Sequence, residues 1–225
     1  MDRLQCVIFD MDGTILYTAE DMTTAVNLTL AHFGYPSRTL EEVTSYVNNG
    51  ARRLIERALP EDARDEENVN RVLAQYLVYY DAHVCEKTRP YEGIPELLEE
   101  LCAKGIKLAV VSNKPDKQAK TLAEHCFGKD LFSYVSGSGE GLPTKPDKAC
   151  IDRALAALDV TPEKTIYVGD SYVDVLTARN SGLYCIGVLW GFGGEHSFDK
   201  EVPDVAVHTC EQAKQTILNV AKLSV

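Results

Sequence analysis

No apolar run in this chain is long enough to cross a bilayer, and no cationic leader with an apolar core stands before its first strand. Clustered Lys and Arg are missing as well: 34 acidic residues against 23 basic ones leave a formal net charge of −11. Nucleic acid and anionic membrane surfaces both require concentrated positive charge, so neither is the expected partner. The seven cysteines are scattered without C-x-x-C spacing. Such an odd, dispersed set fits reduced thiols in the cytoplasm, the expected location, rather than a disulfide framework. Internal repeats and low-complexity segments are also lacking. What is present, 225 residues of which 45% are apolar and 25% charged, suits one large globular domain or a core with a smaller insert.

The chain is organised around Cys6-Val7-Ile8-Phe9-Asp10-Met11-Asp12-Gly13-Thr14. Leu4 to Phe9 reads as a short strand buried on both faces. Two carboxylates follow, two residues apart, and then a glycine. Two residues is the strand period, so Asp10 and Asp12 can face one pocket at the carboxyl end of the strand, where open α/β sheets bind ligands. An acidic turn is the plainer reading. Burying two carboxylates there is costly, however, unless a cation or a proton offsets them.

From residue 15 to 90 the spacing is helical. Glu20 to Phe33 is one helix, closed by Gly34-Tyr35-Pro36. A second starts at Thr39 with Glu42 completing a capping box. Asn48-Asn49-Gly50 breaks the chain, and Leu54, Ile55, Ala58 and Leu59 then share one face. Glu61 to Glu67 reads as a charged connection, and Val69 to Val84 as the longest helix. Four helices interrupting an α/β pattern suggest an inserted bundle. Arg52 and Arg53 are placed on the polar face of their helix, with an anion-binding role in the pocket as the alternative.

Beyond residue 90, helices (Ile94 to Ala103, Asp116 to Cys126, Lys148 to Leu158, Val173 to Asn180, Cys210 to Val220) alternate with strands. The strands are Ile106 to Val111, Phe132 to Val135, Thr165 to Val168, Tyr184 to Val188 and Asp204 to Val207, with a glycine-rich connection from Ser136 to Leu142. This is the pattern of an α/β fold with a parallel sheet and helices on both faces. Three strands end in polar groups: Asp10 with Asp12, Ser112 with Asn113, and Asp170 with Asp174. Lys145 opens a helix between the second and third. In a parallel sheet these ends lie on one edge, and carboxylates gathered there need a hard cation. Oxygen ligands favour Mg²⁺, which in turn accepts a substrate phosphate. Lys145, the Ser112 hydroxyl and backbone N–H groups would hold that phosphate.

With these four segments in order (Asp10-Met11-Asp12-Gly13-Thr14, Ser112-Asn113, Lys145-Pro146 and Gly169-Asp170-Ser171-x-x-Asp174) the chain resembles the haloacid dehalogenase superfamily of phosphohydrolases. Finer similarity runs to bacterial phosphoglycolate phosphatases, in Ala19-Glu20-Asp21-Met22, in Tyr46-Val47-Asn48-Asn49-Gly50-Ala51 and in Glu56-Arg57-Ala58-Leu59. The chain differs from the usual pattern at Tyr17-Thr18, where Asp-Ser is common, at Lys148, where a second proline is common, and at Asn48, where glycine is more frequent.

The resemblance implies a Rossmann-like core made of residues 1–14 and 91–225, with residues 15–90 as a small helical cap. It implies Asp10 as the nucleophile that becomes an aspartyl-phosphate, and Asp12 as acid and then base. Mg²⁺ would be held by the Asp10 carboxylate, the Asp12 backbone carbonyl and Asp170. Met11 and Asp12 backbone groups, Ser112, Asn113 and Lys145 would bind the phosphoryl oxygens. Thr14 would tie down the turn, and Asp174 would orient Lys145 or a water of the ion from behind. Asn49 and Gly50, with Arg52 or Arg53 as the less favoured helper, would select substrates from the cap, and Lys114 is expected at the surface. The expected substrate is a small phosphorylated metabolite such as 2-phosphoglycolate, and a homodimer is left open. Pyrophosphatase, nucleotide phosphatase, sugar phosphatase and β-phosphoglucomutase-like activities share the scaffold, although the mutases resemble Asp-x-Asp-Gly-Val where Thr14 stands here. A dehalogenase would lack Asp12. A phospho-accepting receiver would need neither the insert nor Asp12, and a binding module would be expected to have lost an acidic group.

Overall fold

A computed structural model describes residues 4–139, 141 and 143–222. Strand β1 (Cys6–Phe9) is fully buried, and its residues alternate between two apolar clusters. Val7 and Phe9 pack into one and Cys6 and Ile8 into the other, as the two-residue period of a strand covered on both faces demands. Five further strands complete the sheet: β4 (Lys107–Pro115), β5 (Tyr134–Ser138), β6 (Thr165–Gly169), β7 (Tyr184–Val188) and β8 (Val205–Val207). Their order is β5-β4-β1-β6-β7-β8, and every pairing is parallel. Helices α5 (Ile94–Ala103), α6 (Asp116–Phe127) and α9 (Cys210–Lys222) contribute to the first cluster. Helices α7 (Ala149–Leu158) and α8 (Tyr172–Asn180) contribute to the second. The fold class is the expected one, a Rossmann-like parallel sheet between helical layers.

Register sets up the site. Phe9 lies opposite Val110 on one side and Val168 on the other. The residues that follow, Asp10, Ser112 and Asp170, therefore reach the same sheet edge. The β4–β5 ladder shifts register between Val111 and Pro115, so Ser112, Asn113 and Lys114 lie in the irregular stretch. Such irregularities re-aim side chains. Strand β5 runs later than the expected Phe132 to Val135, because it draws in Ser136-Gly137-Ser138. A Cβ on Gly137 would meet the Lys114 carbonyl at 2.4 Å. Glycine there admits a close backbone approach that an apolar-run reading cannot detect. The rest of the glycine-rich connection includes Glu140 and Leu142, which lie outside the described residues.

Between β1 and α5 stand four α-helices: α1 (Ala19–His32), α2 (Leu40–Tyr46), α3 (Gly50–Ala58) and α4 (Glu66–His83). The Thr39–Glu42 capping box is present. The stretch 61–67 is more ordered than a bare connection. It holds a 3-10 turn, Glu61–Ala63, and Asp65 caps α4 by accepting the Asn68 N–H at 3.0 Å. Two short strands, β2 (Leu16–Tyr17) and β3 (Arg89–Pro90), pair antiparallel where the chain leaves and re-enters the core. At two residues each they are too short for any periodicity signal. No described helix is long and apolar enough to cross a membrane.

A carboxylate fastens this junction. Asp21, in the first turn of α1 and 1% exposed, accepts the Lys87 N–H on both oxygens (3.0 Å each) and the Thr88 N–H at 2.8 Å. Charged acceptors make the stronger class of hydrogen bond, and orphaned donors are costly. Asp21→Ala should therefore destabilise the protein by about 1–3 kcal/mol. At this chain length that corresponds to a melting midpoint lower by roughly 2–4 °C per kcal/mol. A calorimetric midpoint equal to that of the parent would show that the junction holds without Asp21.

Candidate active site

The turn after β1 is built by its backbone. The Met11 carbonyl accepts N–H groups from Thr14, Ile15 and Leu16 at 3.3, 3.1 and 3.0 Å, and the Gly13 N–H bonds Leu16 O at 3.0 Å. Gly13 has φ +82°, and a Cβ there would sit 2.2 Å from an Asp170 oxygen. Only glycine both adopts this backbone and leaves that space. Met11 buries its side chain in the core, so only its backbone is available to a ligand. Thr14 does not tie the turn as expected; its hydroxyl is buried without a partner, while its carbonyl accepts the Trp190 indole N–H at 3.0 Å.

Lys145 is the centre of the charge network. Its ammonium lies 2.8 Å from Asp10 Oδ1 and 2.7 Å from Asp174 Oδ1, and donates to the Tyr167 hydroxyl at 3.1 Å. Burial works against the charge on Lys145, but the two carboxylates outweigh it and hold its pKa above the ordinary lysine value. Asp174 is fully engaged. Its Oδ1 also accepts the Tyr167 hydroxyl at 2.9 Å, and its Oδ2 takes the Ser171 N–H and hydroxyl at 3.0 and 2.6 Å. With no oxygen to spare, Asp174 braces Lys145 from behind.

Asp10 and Asp170 are the carboxylates with room for an ion. One oxygen from each, together with one from Asp174, lies within 4.8 Å of the others. Asp170 Oδ2 accepts the Phe192 N–H at 3.1 Å, whereas Asp170 Oδ1 is buried with no hydrogen-bond partner. Burial pushes Asp10 up to about 7, against the pull of Lys145 and with the help of Asp174. Burial, with Asp174 and Asp10 adding to it, also raises Asp170 well above the usual carboxylate range. A buried, orphaned carboxylate oxygen beside a second carboxylate suits a hard divalent cation.

Asp12 is held differently. Its Oδ1 accepts the Thr18 hydroxyl at 2.6 Å and lies 3.0 Å from the Lys114 ammonium. Lys114 is therefore not a surface residue. It is 5% exposed and donates to the Tyr80 hydroxyl at 2.5 Å. Flanking charges and polarity cannot reveal this, because the burying groups, Tyr76 and Tyr80 of α4, lie far away in sequence. Thr18 stands at the noted family departure, which was the only local signal for it.

Asn113 acts as a strut. Its Oδ1 accepts the Lys145 N–H at 2.8 Å, and its Nδ2 donates to Lys145 O and to Asn48 O, both at 3.1 Å. Its amide clamps the Lys145 loop and the cap turn together, which leaves it committed elsewhere than the expected phosphoryl group. Ser112 Oγ accepts the Lys114 N–H at 3.2 Å and lines the pocket. The cap wall of that pocket comprises Met22, Val47, Asn48, Gly50, Ala51, Leu54, Tyr76 and Tyr80, over Asp10, Asp12, Ser112, Asn113, Lys114 and Lys145.

Among the cap residues Asn49 is displaced, whereas Arg52 and Arg53 take the expected polar face. Asn49 turns its side chain to Arg57 (2.8 Å) and Tyr172 (3.4 Å), so it is Asn48, at φ +86°, that faces the pocket beside Gly50. Arg52 is exposed and donates to Asn70 at 2.5 Å, and Arg53 is exposed and pairs with Glu56. Both lie on the outer face of α3, opposite buried Leu54 and Ile55.

The comparisons agree with this architecture. A model of the family described as haloacid dehalogenase-like hydrolase matches residues 7–188. The chain is 33% identical over 207 residues to phosphoglycolate phosphatase 1 of Pseudomonas aeruginosa, covering 89% of this chain and 75% of that one. It is also 33% identical over 210 residues to a phosphoglycolate phosphatase of Haemophilus influenzae, covering 90% and 93%. A crystal structure from Lactobacillus delbrueckii subsp. bulgaricus, assigned as a phosphoglycolate phosphatase, superimposes with a TM-score of 0.89 at 34% identity. That superposition covers 96% of this chain and 98% of the other. On the family match, the relatives and the shared fold together, this chain belongs to the haloacid dehalogenase-like hydrolases.

Proposed function

We propose that the protein is a Mg²⁺-dependent phosphomonoester hydrolase that works through an aspartyl-phosphate at Asp10, on a small phosphorylated metabolite such as 2-phosphoglycolate. The observation that carries this reading is the pairing of Asp10 with buried Lys145 in a pocket that also contains Asp12. A carboxylate is thereby aimed into the pocket beside one fixed cation, with a second carboxylate two residues away.

An Asp10 oxygen attacks phosphorus while the bond from phosphorus to the leaving oxygen breaks, and Asp12 gives that oxygen its proton. Asp12, now a carboxylate, takes a proton from the water that attacks the phospho-aspartate. The bond between phosphorus and Asp10 then breaks, releasing inorganic phosphate and restoring both carboxyl groups. Lys145 and Ser112 stabilise charge on the transferring phosphoryl oxygens, the dominant contribution in such reactions. Asp10, Asp170 and the Asp12 backbone carbonyl would hold Mg²⁺, which supplies positive charge for the phosphoryl oxygens. Thr18 and Lys114 fix the orientation of Asp12.

Residues 15–90 act as the cap. The core contacts serve every phosphate ester alike, so selection falls to the wall over the pocket, where Asn48 and Gly50 face in. The names of the relatives support 2-phosphoglycolate as the first compound to test.

With Mg²⁺ present, the parent should hydrolyse phosphate monoesters. Asp10→Asn should abolish both turnover and covalent phosphate incorporation. Asp12→Asn should slow turnover by roughly 10²–10⁴-fold. Full activity in an Asp10→Asn preparation free of contaminating phosphatase would overturn the nucleophile assignment.

Stability should report the same carboxylates. A folded pKa raised above the unfolded value means that the folded state binds the proton more tightly. The stability this gives is present at low pH and is lost as pH climbs toward about 7. The metal-free protein should thus melt lower at pH 7.5 than at pH 5.5, and Asp10→Asn should flatten part of that slope. Mg²⁺ should raise the midpoint more at pH 7.5, where the carboxylates are ionised, than at pH 5.5. Equal Mg²⁺ shifts at both pH values would argue against a site made of these groups.

A further inference from the structure

Within the proposed phosphatase reading, the pocket contains a cation that the phosphoryl group does not need. Among the described pocket-lining residues only Lys145 and Lys114 are positively charged. Lys145 is held in the core network: it donates to Asp174 and Tyr167, and its ammonium stays 2.8 Å from Asp10 Oδ1, where it serves the phosphoryl group. Lys114 has two such neighbours, Asp12 Oδ1 at 3.0 Å and the Tyr80 hydroxyl at 2.5 Å, and its ammonium lies 4.6 Å from the centre of the Tyr80 ring. That leaves one of its three donors without a named acceptor, on a side chain only 1% exposed. Holding an ammonium in such a place is expensive unless it is well paired.

We propose that Lys114 is the residue that determines specificity in this pocket, by binding a carboxylate on the leaving group. Three observations converge on this role. The first is position: Lys114 touches Asp12, the group assigned to protonate the leaving oxygen, so an anion one carbon from that oxygen lies within its reach. The second is the lack of a competitor. Arg52 and Arg53 are exposed and paired outside the pocket, and Arg57 is spent on Tyr46 O at 2.9 Å and Asn49 at 2.8 Å. The third is space. The cavity is about 40 Å³, room for only a few water-sized groups at ~10–15 Å³ each. Its cap wall includes apolar Met22 and Leu54, which offer a sugar or a nucleoside no polar partners. Gly50 and Ala51, the opening residues of α3, face the same cavity, and the Asn49 side chain makes no cap bond there. Their N–H groups add donors to the cavity wall.

The plainer role for Lys114 is to neutralise Asp12. That role predicts an equal loss on all substrates, whereas carboxylate binding predicts a selective one. The test compares kcat/KM for 2-phosphoglycolate and for 2-hydroxyethyl phosphate, its counterpart without the carboxylate, with Mg²⁺, in the parent, Lys114→Met and Lys114→Arg. The parent should prefer the acid by roughly 30-fold or more, the effect of one buried charged hydrogen bond. Lys114→Met should bring the ratio close to one, with KM for the acid rising most, and Lys114→Arg should keep part of the preference. A ratio unchanged in Lys114→Met, even with both rates reduced, would overturn the proposal. So would a parent that treats the two esters alike, a result that needs no variant to fold. Hydrolysis of 2-hydroxyethyl phosphate without preference for the acid defeats the carboxylate site alone. Hydrolysis of neither ester, nor of any generic phosphate monoester, defeats the phosphatase reading itself.

Discussion

Four carboxylates meet at one edge of a buried sheet, and the rest of the structure is arranged to tolerate them. Asp10, Asp12, Asp170 and Asp174 are all at most 7% exposed. Two ammonium groups, Lys114 and Lys145, stand among them. Four negative charges against two positive ones leave a deficit of two. An apolar interior cannot carry such a deficit without a proton or a cation. The raised pKa values of Asp10 and Asp170 express that deficit as an affinity for protons. Asp170 Oδ1, buried and without a hydrogen-bond partner, leaves its lone pairs free for a proton or a cation.

The two lysines divide the work by how completely each is satisfied. Lys145 is enclosed by Asp10, Asp174 and Tyr167, and Asp174 is in turn fixed by Ser171. Each member of this chain has its orientation set by the next, so the charge beside Asp10 has little freedom to move. Rigidity of this kind is what electrostatic stabilisation of a phosphoryl group needs, because the charge is in place before the reaction starts. Lys114 belongs to a looser set. It joins Asp12 in the core to Tyr80 in the cap, so its environment depends on how the two parts sit together.

The core was legible because its chemistry is local in sequence. Asp10 and Asp12 are two residues apart on a strand end, and Asp170 and Asp174 bracket a helix start. The strand period and the parallel topology then brought them to one edge. What stayed hidden depended on contacts between segments far apart. Lys114 looks like a surface lysine until the α4 tyrosines are placed over it, and those are more than thirty residues away in the chain. Asn113 looked like a ligand for phosphate, but its amide is consumed by the backbones of Lys145 and Asn48. At the cap turn, Asn48 and Asn49 are chemically the same, and only the left-handed backbone at Asn48 decides which one faces in. The paired strands β2 and β3 fell below the length at which alternation carries information.

Placing the second cation on the core side of the pocket has a consequence for how substrate and cap cooperate. A cap arginine reaching down would meet its anion only after the cap had closed. Lys114 belongs to the same irregular stretch of β4 as Ser112, so it is positioned by the sheet along with the hydroxyl proposed to meet the phosphoryl end. The cap contributes tyrosines that bury Lys114 and raise the strength of whatever ion pair it makes, since the effective dielectric falls as water leaves. Burial also raises the tyrosine pKa values, which keeps the Tyr76 and Tyr80 hydroxyls neutral beside the ammonium. Closure would then strengthen binding of an anion already held by the core, and it would exclude water at the same moment. An ester without a second anion would lose that reinforcement. Such an arrangement ties selectivity to the state of the cap without asking any cap side chain to carry charge.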